Sequence, residues 1–344
     1  MNAAEPNPTH QRKREREWAH RRKFLVHTVA TALAAGLLCA PALAQDVSWP
    51  KLIKLVVPFS PGASNDLFGR ALAQRMSSRL GTTVIVENRP GAGGTVGAEA
   101  VSRGEPDGSI LLFSSNSFTT NAAMTSKLPY DMSRSFVPVA MIARSSMIVV
   151  VNANSPYQTL PQAIEAMRDP KAKMNYGSAG VGGLAHIATE LLHSLAGTSA
   201  VHVPYKGVSN AITDMMGNNI QIMITTVASV GEQLKAGKLR ALAVTSLERS
   251  KTMPELPTVA EYVPGYTAES WWGVFAPGGT PKPIVERLNS TIRAITEQPD
   301  MRKIFAQESA EPAPMTATEF NAYYMDEIAK WKKVARDRNL SSNN

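Results

Sequence analysis

Residues 52–70 read Leu-Ile-Lys-Leu-Val-Val-Pro-Phe-Ser-Pro-Gly-Ala-Ser-Asn-Asp-Leu-Phe-Gly-Arg. Leu52, Ile53, Leu55, Val56 and Val57 form a short apolar run, the look of a strand covered on both faces. Pro58 ends the run, because it has no N–H to give a ladder. Phe59–Ala63 is a tight loop. A helix follows, with Ser64, Asn65 or Asp66 as N-cap and Leu67, Ala71, Leu72, Met76 and Leu80 on one apolar face. A strand, a small-residue loop and a helix N-terminus make an anion trap: free N–H groups point into the loop, and the helix dipole adds about half a positive charge. Gly62 and Ala63 let a ligand approach the backbone, and Ser60, Ser64 and Asn65 offer polar side chains beside it. Any α/β protein has several such turns, so the stretch speaks to fold class before function.

The same grammar recurs along the chain. Thr83–Val86 reads as a second strand, and residues 87–94 (Glu-Asn-Arg-Pro-Gly-Ala-Gly-Gly) form a glycine-rich loop before a helix at Thr95–Arg103. Gly91, Gly93 and Gly97 give Gly-x-Gly-x-x-x-Gly after the second strand, which is the wrong spacing and the wrong place for a dinucleotide loop. The strand Ile110–Phe113 ends in Ser114-Ser115-Asn116-Ser117, a polar cluster where open α/β sheets bind ligands; Ser115 and Asn116 are candidates. Val137–Ile142 and Met147–Val151 read as two strands, with a crossing between lobes near Ile148–Asn152. Leu160–Arg168 is a helix with Pro161 in its first turn.

Residues 176–183 (Tyr-Gly-Ser-Ala-Gly-Val-Gly-Gly) then lead into a helix at Leu184–Ala196, the second counterpart of the opening loop. Ser178, Ala179, Gly180 and Gly183 are its candidates. Gly-x-Ser-x-Gly is absent, so this is not a hydrolase elbow. His186, in the first helical turn, reads either as a capping or packing residue or as a wall of the cleft. His193 and His202 read as core or surface residues. Three histidines without paired spacing do not compose a metal site. Asn219–Thr225 and Gly237–Thr245 are further strands. Trp271-Trp272 suits hinge and interface packing. Pro281–Glu297 and Ala317–Arg336 are amphipathic helices expected to close the first lobe.

The 344 residues suffice for two ordinary domains, and the formal net charge is +8. Residues 1–44 hold seven Lys/Arg against three Glu, a net +4, and the remainder carries the other +4. So mild a balance calls for no nucleic-acid partner. The polar, basic residues 1–23 precede an apolar run to Ala40 and the small-x-small pattern Ala42-Leu43-Ala44, which together read as a signal peptide cut after Ala44. Arg21-Arg22 suits a twin-arginine signal and a general secretory signal alike. The single cysteine, Cys39, lies in this leader, so the expected mature protein lacks disulfides, thiol nucleophiles and thiolate metal ligands. The reading is a soluble periplasmic protein, with no catalytic constellation and no cofactor motif.

The ordered blocks also resemble Bug-type solute-binding proteins, the periplasmic receptors of tripartite tricarboxylate transporters. The resemblance starts at Pro58, Phe59, Gly62 and Asp66, against a family pattern near Pro-Phe-Pro-x-Gly-Gly-x-x-Asp, and departs at Ser60 and Ala63. It continues through Val86–Gly94, Pro106-Asp107-Gly108, Leu128–Asp131, Asn175–Gly180, Val201–Gly207, Ala236–Ser246, Pro257–Glu261 and Ala276–Pro281. It implies a type II two-lobe periplasmic-binding-protein fold with a central cleft: residues 45–147 and 271–344 in lobe 1, residues 148–270 in lobe 2. It implies a monomeric receptor that closes on a small carboxylate and docks on the membrane subunits of such a transporter. Phe59 and Asp66 join the candidates on this ground. Where many relatives resemble Phe-Asp-Asn, this chain has Ile224-Thr225-Thr226, so Thr225 and Thr226 are candidates without an acidic partner for an ammonium group. Two rivals stand beside this: an enzyme, which would need a nucleophile–base pair or a metal cluster, and a sensory protein presenting its ligand to a membrane kinase.

Overall fold

The computed structural model describes residues 49–62, 64–125 and 127–341. The leader with Cys39, and Ala63 in the opening loop, lie outside the described residues. Among the described residues no helix is long and apolar enough to cross a membrane.

The chain alternates strands and helices: β1 (Leu52–Val57), α1 (Ser64–Leu80), β2 (Thr83–Asn88), α2 (Thr95–Ser102), β3 (Ile110–Ser115), α3 (Ser117–Met124), β4 (Phe136–Asn152), α4 (Leu160–Arg168), β5 (Asn175–Ser178), α5 (Leu184–Ala196), β6 (Val201–Pro204), α6 (Val208–Met216), β7 (Ile222–Thr226), α7 (Val227–Lys235), β8 (Leu239–Val244), β9 (Glu269–Pro277), α8 (Lys282–Thr296), α9 (Pro299–Ala306), β10 (Glu311–Pro312) and α10 (Ala317–Asp337). Strand order is β2-β1-β3-β9-β4-β7-β5-β6, with β8 and β10 also paired to β4. β1, β2 and β3 are mutually parallel, as are β5, β6 and β7. β9 runs antiparallel between β3 and β4.

β4 organises the molecule. The two runs expected at Val137–Ile142 and Met147–Val151 are one strand of 17 residues. Phe136–Ser146 pairs with β9, with register shifts at Pro138/Ala140 and Met141/Ala143. Met147–Asn152 pairs instead with β7 and β8. Each bulge adds local twist, so one strand can serve two sheets. The polar residues Arg144-Ser145-Ser146 look like a loop by composition, but all three pair with β9, and Arg144 also with Glu311 of β10.

Each half of the sheet is covered on both faces, as parallel strands require. In the first half, Ile53, Leu55 and Val57 pack under Phe68, Leu72, Leu288 and Phe305, while Val56, Leu112 and Phe275 pack against Phe118, Phe320 and Tyr324 on the other face. The consecutive Trp271 and Trp272 therefore serve opposite faces: Trp272 meets Phe68 edge-on at 4.9 Å, and Trp271 meets Phe320 at 5.9 Å. In the second half, Tyr176, Ile187 and Ile224 lie on one face and Ile148, Met223 and Ile212 on the other.

α10 departs from expectation. Its first half packs in the first lobe through Phe320, Tyr324 and Ile328. Its second half enters the second lobe's core through Trp331, Val334 and Ala335. Beyond the helix end, Arg338 Nε meets Glu190 Oε2 of α5 at 2.5 Å. Glu327, at the middle of α10, accepts Trp271 Nε1–H at 3.1 Å and Trp331 Nε1–H at 2.8 Å, and is paired with Lys330. The helix spans the crossover instead of closing one lobe.

Candidate functional site

The parallel strands end at the same place. Ser115, at the end of β3, is paired with Trp272, close to where β9 begins, and the Asn116 N–H is held by the Trp271 carbonyl at 3.1 Å. Thr226, at the end of β7, is paired with Met147, where β4 changes partners. The loops after β1, β2 and β3 and those after β5 and β7 thus open toward one another across the crossover. Carboxyl ends of strands are where open α/β sheets bind ligands.

Five helices follow these loops, and their first turns differ; α2, behind the glycine-rich loop, starts at Gly94 without a side-chain cap. At α1, Asp66 is buried and spends its carboxylate locally: Oδ2 accepts Gly62 N–H at 3.1 Å and Arg70 Nε–H at 3.0 Å, and Oδ1 accepts Asn88 Nδ2–H at 2.9 Å. Burial pushes this carboxyl upward, but the hydrogen bonds from Arg70, Asn88 and Gly62 outweigh it and hold it below the ordinary carboxylate value. The expected role of the Gly62 N–H as a ligand donor is therefore amended. Asp66 already takes that N–H and supplies the negative charge this helix end attracts. Ser60 and Gly62 are exposed, and Phe59, Ser64 and Asn65 are half-buried around them. The Asn65 side-chain oxygen is shielded from solvent and has no protein partner. At α7, the Thr226 side chain is the cap: Oγ1 accepts Ser229 N–H at 3.3 Å and lies 2.7 Å from Ser229 Oγ. Thr225, beside it, is buried.

At α3 and α5 no side chain caps the first turn. Asn116 and Gly183 stand at these cap positions, one on each lobe. A helix start without a side-chain cap leaves its N–H groups for water or a ligand. α3 was missed in the sequence because Ser114–Ser117 reads as a polar loop. The signal was present: Asn116 is a cap-type residue, and Phe118 and Ala122 sit four apart. Ser115 Oγ lies 2.8 Å from Ser117 Oγ, and Ser114 Oγ is buried without a protein partner.

The glycine-rich loop after β2 braces this wall. A Cβ on Gly93 would come within 2.8 Å of the Asn121 side chain, and one on Gly97 within 2.9 Å of Arg89 O and Pro58 Cα. Asn121 Nδ2 donates to Thr95 Oγ1 at 3.2 Å, tying α3 to α2. Across the cleft, Gly182 has φ +83°, and a Cβ there would lie 3.4 Å from Met124 Sδ at the end of α3. The second-lobe loop thus runs beside Met124, which is buried in the second-lobe core.

The second-lobe loop is held from behind. Ser178 is buried; its Oγ accepts Gly180 N–H at 3.2 Å and lies 2.7 Å from His202 Nε2. Ala179 is exposed and Gly180 half-buried. His186 is buried beneath the loop, and its Nδ1 accepts Gly182 N–H at 3.1 Å. His186 thus packs beneath the loop and takes up the Gly182 N–H. His193 is a core residue, with Nδ1 against Thr198 Oγ1 at 2.8 Å and burial pushing its pKa down to about 4. Among the described residues, no group of three His, Cys, Asp or Glu is placed to hold a metal ion.

Known proteins share this architecture. The model of the tripartite tricarboxylate transporter family receptor matches residues 68–340. The protein BugT of Bordetella pertussis is 32% identical over 316 residues, covering 91% of this chain and 97% of its own length. The solved structure of Rpa4515 of R. palustris with adipate is 31% identical with a TM-score of 0.69, covering 86% of this chain and 99% of that one. MatC of Rhodopseudomonas palustris with bound malate is 28% identical with a TM-score of 0.65, covering 82% and 98%. The expected two-lobe α/β fold and the family resemblance both hold. This chain belongs to the tripartite tricarboxylate transporter receptor family of solute-binding proteins.

Proposed function

We propose that the protein is a periplasmic receptor that captures a small carboxylate without an ammonium group, closes its two lobes on it, and delivers it to the membrane subunits of a tripartite tricarboxylate-type transporter. The observation that carries this reading is the pair of helix starts without side-chain caps, α3 and α5, one on each lobe and both at the carboxyl ends of strands. A ligand with two anionic ends suits two positive helix termini on opposite walls. The relatives with adipate and malate hold dicarboxylates of that kind.

Two acids that could meet an ammonium group, Asp66 and Asp214, are already engaged. Asp66 is neutralised by Arg70, and Asp214 accepts the Tyr205 hydroxyl at 2.6 Å and Asn219 Nδ2–H at 3.3 Å. Thr225 and Thr226 bring hydroxyls but no charge, and a buried ammonium without an anionic partner costs several kcal/mol. Ser115, Asn116, Ser178, Ala179, Gly180, Gly183, Thr225 and Thr226, with the Phe59–Asn65 loop, form the proposed site. We take the leader to direct export and the lobes to meet at Ser146–Met147.

Calorimetry with adipate, malate, an aromatic carboxylate, glutamate and aspartate tests the reading. Binding of one or more of the first three, with glutamate and aspartate at least roughly tenfold weaker, is expected. Tight binding of the amino acids alone would overturn it.

A further inference from the structure

The ligand loop of the second lobe rests on a stack of three rings. His186 and His202 lie face to face, with centroids 4.0 Å apart and planes 9° from parallel. Tyr176 stacks on His202 at 4.7 Å and 18°. The two imidazoles reach the loop at its two ends. His202 Nε2 contacts Ser178 Oγ, and His186 Nδ1 accepts the Gly182 N–H. The hydrogen-bond pattern assigns their protons. Ser178 Oγ accepts Gly180 N–H and lies 3.0 Å from Gly180 O and 2.7 Å from His202 Nε2; with its hydroxyl turned to Gly180 O, it takes a proton from His202 Nε2. His186 Nδ1 must be bare, because Gly182 N–H points at it.

We propose that His186 and His202 are positioning residues which, as neutral imidazoles, clamp the two ends of the Ser178–Gly183 loop in its ligand-receiving shape, so that acid loosens the loop and weakens binding. The proposal rests on the reading above that this loop receives the ligand. A proton on His186 Nδ1 sets N–H against N–H and breaks the Gly182 contact. A charge on either ring also repels a charge on the other across 4.0 Å. The surroundings favour the neutral pair. Burial pushes His186 down and outweighs the opposing pull of Glu190. Burial, with His186 adding to it, pushes His202 down to about 4, again against Glu190. Glu190 is the acid facing the stack, and its charge is largely spent: it accepts the Tyr176 hydroxyl at 2.5 Å and pairs with Arg338 of the C-terminal segment. His193 on α5 meets Tyr176 edge-on at 5.5 Å and is itself held neutral. Met124, opposite Gly182, brings no charge.

Isosteric variants separate positioning from packing. Asn at 186 offers an oxygen where Nδ1 stood and cannot be protonated; Gln at 202 offers an N–H where Nε2 stood. Hydrogen exchange of the ligand-free protein reads the loop directly. His186→Leu should lower Gly182 amide protection at pH 7 by roughly tenfold, the worth of one hydrogen bond, and His186→Asn should restore most of it. Between pH 7 and pH 3.5, which runs below the value of about 4 to which His202 is pushed, protection should fall in the wild type and hold in the His186→Asn/His202→Gln double variant. Adipate calorimetry over the same range should show the wild type losing affinity faster than the double variant, a comparison in which the titration of adipate itself cancels. Equal Gly182 protection in wild type and His186→Leu, or equal acid loss in wild type and double variant, overturns the proposal. Failure of adipate to bind any of them counts against the carboxylate reading, while the exchange measurement still decides this one.

Discussion

Asp66 Oδ2 accepts the Gly62 N–H, four residues back along the chain, at 3.1 Å. The opening loop is therefore closed on itself by a carboxylate, and Arg70 and Asn88 hold that carboxylate from the far side. Asp66→Ala should lower stability by about 2–3 kcal/mol, the range for leaving such partners unpaired. Asp66→Asn should recover part of that. Because the folded carboxyl sits below its ordinary value of 3.8, its contribution is complete above that value and fades as pH falls through the folded one. Denaturant melts at pH 7 and pH 3 check this: the gap between wild type and Asp66→Asn should narrow in acid, and a constant gap would contradict it.

Gly182 needs its φ of +83° and its clearance from Met124. Gly182→Ala should cost about 1 kcal/mol from backbone strain, while ligand affinity falls by more than that because the loop is displaced. Paired melting and calorimetry read the two effects. Unaltered affinity in a folded variant would remove this loop from the site.

Thr226 caps α7 through its hydroxyl. Aspartate is as good a cap, so Thr226→Asp should fold normally while placing a negative charge at the proposed site. Affinity for adipate should drop at least roughly tenfold, and glutamate or aspartate should gain relative to it. No change in either would place Thr226 away from the ligand.

Arg338 pairs with Glu190, whose side chain is only 8% exposed, while Arg338 remains 31% exposed. Arg338→Ala leaves a buried carboxylate beside the Tyr176 hydroxyl, and should destabilise by about 1–3 kcal/mol after allowing for the exposed partner. Arg338→Lys should do partly as well, since it restores charge but not the planar fork. Thermal melts of the three proteins would show the order.

Much of this fold was readable from local pattern. The opening strand was legible as an apolar run stopped by Pro58, Leu160–Arg168 by its apolar period and the Thr159 capping box, and Leu184–Ala196 by its apolar period between glycines. What escaped depends on distant partners. Arg144-Ser145-Ser146 looks like a loop until β9 runs alongside it. Ala317–Arg336 shows an apolar face, but nothing local says that Trp331 and Phe320 serve different cores. In the site, the small-residue loops were legible as loops. The commitment of Gly62 to Asp66 was not, because it turns on Asn88 arriving from β2 to join Arg70, one turn along α1, in holding that carboxylate. The His186–His202 stack joins residues 16 apart with no shared motif, and only the parallel pairing of β5 with β6 brings them together.

The last helix carries a further consequence, for the order in which the chain can be completed. Trp331, Val334 and Ala335 join buried residues drawn otherwise from 124–268, so that core stays unfinished until α10 has been made. A fragment ending before Trp331 would leave that core without these three side chains. A nascent chain of this design cannot finish that core before α10 has emerged.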